Sequence, residues 1–107
     1  MQANQKVAIW ILDDAAKLFL GLEVGRPVGR WVVVGTVLPD MESPLGVWVD
    51  VAHVEERRTD EKGQLTKVAW TVKPSQCLIR YDYIITVQVL ADAPKPPADT
   101  RLAPGFL

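Results

Sequence analysis

The chain has little of what builds staples or metal centres: among 107 residues there is one cysteine, Cys77, and one histidine, His53. A single cysteine excludes an internal disulfide framework and any cysteine-rich zinc site, and a reducing, cytoplasmic setting is the simplest expectation. Charge of one sign is also lacking, because twelve Lys and Arg face thirteen Asp and Glu, for a formal net charge of -1. That balance excludes a generally basic nucleic-acid binder; DNA is not expected as a partner, and only a local patch could contact RNA. No apolar run approaches the roughly 18 residues of a membrane-spanning helix, and Met1–Lys6 has no secretory character. What remains is enough chain for one domain, 49% hydrophobic, with its own core.

Valine is what the chain has in quantity. There are fifteen copies, most of them alternating with other residues, which is the two-residue period of β-strands. In Val47–Glu55, Val47, Val49 and Val51 fall on one face, and Asp50 and the acidic end at Glu56 fall on the other. Val7–Leu12 is a short apolar run that stops at Asp13-Asp14. Arg30–Leu38 reads as a central strand ended by Pro39-Asp40. Leu65–Val72 sets Val68, Trp70 and Val72 against Lys67, Ala69 and Thr71, and Ile84–Leu90 sets Ile85, Val87 and Val89 against Thr86 and Gln88. Breakers separate these runs at Pro39…Pro44, Asp60–Gly63 and Lys73-Pro74-Ser75. The pattern predicts a mainly β fold, a small and strongly bent antiparallel barrel of five or six strands.

Asp13–Gly25 supports two readings. As a helix it has an acid near its N-terminus, Ala15, Leu18, Phe19 and Leu22 on one face, and Gly25 as its stop. As a strand, Lys17–Val24 would pair with Arg30–Leu38 across the turn from Gly25 to Gly29. Residues 1–90 are expected to form the single domain. Residues 91–107, with Pro94, Pro96, Pro97 and Pro104, read as an extended tail that can neither enter a sheet interior nor form a regular helix. Its apolar end, Gly105-Phe106-Leu107, is expected to be disordered or to dock on a neighbouring subunit.

Two stretches resemble the signature motifs of the Sm/LSm family, Hfq-like members included. Val33–Asp40 with Leu45–Arg57 is similar to the first motif: a bent strand carrying Gly35, a turn with Asp40, then an apolar strand with an acidic end. Cys77–Val87 is similar to the second: an apolar pair, Arg80, a tight turn and a β-branched strand. The resemblance spans roughly Arg30–Leu90. It implies a five-stranded Sm-like or SH3-like barrel, commonly with a short N-terminal helix, assembled edge to edge into a ring. Unpaired backbone at the rim of one copy is then completed by the next. By the same resemblance, Asp40, Arg80, Tyr81 and Tyr83 are the candidate contacts to single-stranded RNA or another ligand. The departures fall on those positions. Leu45 and Gly46 stand in the region of the family's base-gripping Asn, Tyr81 replaces a Gly, and Asp82-Tyr83 replaces a Lys-His pair. An aspartate facing a phosphate path repels it.

Other candidates read more plainly. His53 lacks a second His or Cys, and Asp50 falls on the opposite strand face, so a structural or surface histidine is expected and no metal site. Cys77 reads as a small buried residue at a strand start. Asp13-Asp14 and Glu55-Glu56 read as helix-capping or solvated strand ends, and Glu55–Lys62 as a soluble hairpin tip of mixed sign. Arg26, Arg30, Arg57, Arg58 and Arg80 could converge on one face of a ring-forming chain, and otherwise read as scattered surface charge. Trp70 belongs to the core, whereas Trp48 and Val54, on the face opposite the valines with Asp50, read as an interface or ligand platform, or Trp48 as the cover of one open end of the barrel. No nucleophile–base pair, phosphate loop or cofactor motif is visible, so no enzyme and no cofactor are expected. The leading expectation is a self-associating barrel that binds a partner through strand edges and exposed aromatics. A ring that binds single-stranded RNA is the alternative, and a small molecule in the barrel mouth is a third reading.

Overall fold

The computed structural model describes residues 1–22, 28–92 and 95–104, with only the backbone at 40–42. The elements in order are β1 (Lys6–Ile11), α1 (Asp13–Leu20), β2 (Arg30–Glu42), β3 (Gly46–Thr59), β4 (Leu65–Thr71), β5 (Gln76–Arg80), a 3-10 turn (Tyr81–Tyr83), β6 (Ile84–Leu90) and β7 (Thr100–Leu102). The fold is mainly β. One sheet runs β6-β1-β2-β3-β4-β7, and β5 pairs with the first part of β3. Every pairing is antiparallel except β4 with β7. The sheet does not close: β6 and β7 are its ends. No helix among the described residues is long and apolar enough to cross a membrane.

The valine alternation builds the inner face. Val7, Ile9, Val33, Val49 and Val54 are completely buried there, and Ala16 and Leu20 of α1 pack on them from the other side. Branched residues suit this pleated surface, since their χ1 is already restricted and little freedom is lost.

The alternation of β3 breaks at Ala52. Val34 pairs with His53 but Gly35 pairs with Val51, so Ala52 is an extra residue, a β-bulge. A Cβ at Gly35 would lie against Asp50 O and within 2.6 Å of Val49 Cγ1, which makes glycine necessary at the bend. The bulge also reverses which residues point inward. Val54, expected outside beside Trp48, enters the core, and Glu56, expected on the polar face, is only 1% exposed. A one-residue insertion does this because side chains alternate with a period of two.

Asp13–Leu20 is a helix, not a strand, and it stops at Gly21 (φ 72°) rather than at Gly25, which lies outside the described residues. Its buried residues are Ala15, Ala16 and Leu20, while Leu18 is 80% exposed. Asp13 holds the helix to β2: its Oδ1 accepts from Gly29 N–H at 2.9 Å and Trp31 Nε1–H at 2.8 Å, and Lys17 Nζ lies 2.8 Å from Oδ2. Burial pushes this carboxyl's pKa up, but the Lys17, Gly29 and Trp31 contacts outweigh it and hold it below the usual aspartate value.

Pro39 does not end its strand, because β2 runs on to Glu42. The ladder is irregular between Val37 and Glu42, so the missing N–H of Pro39 interrupts no regular pairing. The tail also contributes to the fold. Between Pro97 and Pro104 the backbone donors are intact, and Thr100–Leu102 adds to the edge of β4. Ala69 N–H donates to Asp99 O at 2.7 Å, Ala103 N–H donates to Thr71 O at 2.8 Å, and Ala103 is buried in the core. Gly105-Phe106-Leu107 lies outside the described residues.

Candidate functional site

The expected contact residues are divided among three places. At one rim, half-buried Trp48 of β3 and exposed Tyr81 line a cleft of about 530 Å³ with Val37, Leu38 and Pro44. Gly46 lets β5 approach β3 here, for a Cβ at that position would stand 2.8 Å from Arg80 Cα. Tyr81 N–H then donates to Leu45 O at 3.0 Å, which seats the 3-10 turn on the rim. Trp48 and Tyr81 are therefore brought together.

Arg80 turns elsewhere. Its Nε lies 3.0 Å from Asp82 Oδ1, and its guanidinium sits 5.5 Å from the centroid of the Tyr83 ring. Tyr83 faces the helix and borders a recess of about 460 Å³ with Leu12, Leu18 and Val28. Asp40 lies on β2, and its side chain is outside the described residues. Val54 belongs to the core and can be no platform. The arginines do not converge: Arg30 and Arg57 are register partners, Arg58 serves Glu56, Arg80 pairs with Gly46 at the far end of β3, and Arg26 lies outside the described residues.

Glu55 and Glu56 are not a solvated strand end. Glu56 accepts from Arg58 Nε at 2.5 Å and from Trp70 Nε1 at 3.0 Å, which satisfies a carboxylate on the core side of the sheet. Glu55 is buried on the outer face, 2.6 Å from Arg57 Nε, 3.7 Å from Lys67 Nζ and 3.9 Å from His53 Nε2. The hairpin tip proper is shorter than the charge run: Asp60 Oδ1 accepts from Lys62 and Gln64 N–H groups, and Gly63 takes φ 75°.

His53 is 2% exposed, and its Nε2 has no hydrogen-bond partner. Burial lowers its pKa against the smaller, opposing pull of Glu55. Cys77 is buried at the start of β5, where burial and Asp50 push its thiol pKa up, away from the thiolate a nucleophile needs. Among the described residues no three His, Cys, Asp or Glu side chains gather as a metal ion would require.

Two features escaped the sequence. Among the described residues β6 pairs only with β1, and it leaves Ile85 63% and Val89 61% exposed. Trp10 lies on the outer face with the Arg57 guanidinium 4.7 Å from its ring centroid. Which strand ends a sheet is not written in its alternation. The bulge, by contrast, left a trace: the valine spacing changes from two to three between Val51 and Val54.

No family model matches this chain, and comparisons with curated proteins and with solved structures return no match.

Proposed function

We propose that this chain is a non-enzymatic interaction module, an Sm-like or SH3-like fold whose sheet is an open barrel and joins further copies of itself edge to edge. The carrying observation is the bare edge of β6, seven residues long, with exposed Ile85 and Val89 and no Lys or Pro to blunt it. Among the described residues β5 is likewise paired on one side only, with β3, as is the three-residue β7 with β4, so β5 and β6 are the two longer free edges and they are unlike. Joining β5 of one copy to β6 of the next is a heterologous contact, and repetition of such a contact closes a ring when the rotation permits. The element order also supports this reading: three meandering strands (β2–β4), then β5, a 3-10 turn, and a strand returning to pair with β1.

Size-exclusion chromatography with light scattering at tens of micromolar tests the proposal. Wild-type protein is expected as a defined oligomer and the Ile85→Lys/Val89→Lys double variant as a folded monomer. Monomeric wild-type protein would end the proposal.

Single-stranded RNA is the second reading. It is favoured by Arg80 stacked over Tyr83 and by the Trp48–Tyr81 cleft, each able to hold a base. It requires salt-sensitive binding of U-rich or A-rich strands, weakened by Arg80→Ala. Asp82, already beside Arg80, places it second.

A further inference from the structure

An antiparallel sheet with one face on the core commonly turns polar residues outward. Here the outer face carries an apolar cluster of its own. Ala8, Val32 and Val34 are buried there, with Trp10 and Leu90 packed beside them, separately from the main core. A recess of about 380 Å³ lies over these residues. Trp10, Gln88 and Leu90 border it on the β1 and β6 side, and Glu55, Arg57 and Lys67 border it on the β3 and β4 side. Lys95 and Pro97 of the tail complete the border. The floor is recessed because its side chains are short while those around it are long.

The charge of the border is unequal. Three cations, Arg57, Lys67 and Lys95, line the recess with a single carboxylate, Glu55. Arg57 and Lys67 both approach Glu55 Oε1, at 2.6 and 3.7 Å, so one oxygen is shared between two cations. Arg57 also lies against the Trp10 ring, which fixes its guanidinium at the edge of the apolar floor. Two residues before Glu55 on β3, His53 pairs with Val34, and its Nε2 lies 3.9 Å from Glu55 Oε2 with no hydrogen-bond partner. Interior polar atoms rarely lack a partner, and this one lies on the same face as the recess.

We propose that the recess binds a small organic anion with a flat apolar body, an aromatic carboxylate. Its ring lies on Ala8, Val32 and Val34 beside Trp10, and its carboxylate faces Arg57, Lys67 and Lys95. The volume lies near the lower end of small-molecule sites, which run from roughly 300 Å³ upward. A cation is disfavoured by the border, and a purely apolar ligand would leave the excess positive charge of the border unbalanced.

The test is a titration of the isotope-labelled full chain with 2-naphthoate, followed by amide and indole NMR shifts, with uncharged 2-naphthylmethanol as the control. Naphthoate is expected to saturate the Trp10 indole and the Ala8 and Val32 amides. The Lys67→Gln/Lys95→Gln double variant is expected to weaken it by about tenfold, as is replacing the carboxylate by the alcohol. Both lysines are exposed enough that the variant keeps its fold, and unchanged shifts elsewhere verify this. Arg80→Gln, at the other rim, leaves the affinity unaltered. The proposal is overturned if naphthoate moves only the Trp48–Tyr81 rim, if the alcohol binds equally well, or if the double variant binds like wild type.

Discussion

The two ends of the sheet are finished in opposite ways. At one end, β4 is covered by β7, Ala103 is driven into the core, and Arg101 lies 5.9 Å from the centroid of Trp70, whose indole is held by buried Glu56. At the other end, β6 has β1 as its one strand partner among the described residues and leaves two apolar side chains in solvent. A β edge attracts further strands unless something covers it. This chain spends part of its proline-rich tail on one edge and leaves the other bare. The difference marks β6 as the side where association is expected.

The comparison can be broken hardest at its covered end. Glu56→Ala removes the carboxylate that accepts from the buried Trp70 indole and from Arg58, and it is expected to cost about 3 kcal/mol in urea unfolding. Truncation before Asp99 removes β7 and its backbone bonds. A loss of about 2 kcal/mol is expected, together with larger assemblies in light scattering as the edge of β4 becomes available. Lysines at Ile85 and Val89 sharpen the contrast from the bare side. Stability should change by less than about 0.5 kcal/mol each, because the positions are exposed, while self-association is lost. An equal effect on folding and association would show that β6 is not a free edge.

The smallest effect lies between the ends, at His53. Burial disfavours its charged form, so between its lowered native pKa and the unfolded value of 6.5 the unfolded chain binds more protons than the native one. Its contribution is fully present above that unfolded value and is lost as pH falls through the native pKa. His53→Gln should flatten this part of the stability profile, and an identical slope in both proteins would show that His53 does not carry it.

Much of the strand layout was legible because alternation is a local property. Val47, Val49 and Val51 face the core as their spacing requires, and Lys73-Pro74 breaks β4 from β5. The helix was readable as one of two options. Leu18 and Gly25 misdirected its face and its end, since eight residues make little more than two turns and Gly21 was the nearer stop. For the candidate site, the pairing of Trp48 with Tyr81 was reachable, whereas the role of Val54 was not. One unpaired residue at Ala52 inverted everything after it, and a bulge is decided by the strand opposite.

By itself the sequence determined that this is a mainly β chain with a valine-built inner face, because side-chain period and branching act within a few residues. Only the tertiary structure decided which edge β7 would cover, which acids would be buried, and that Ala8, Val32 and Val34 would form a recess ringed by Arg57, Lys67 and Lys95. Those outcomes depend on which strands meet across long sequence separations, and no local pattern encodes that choice.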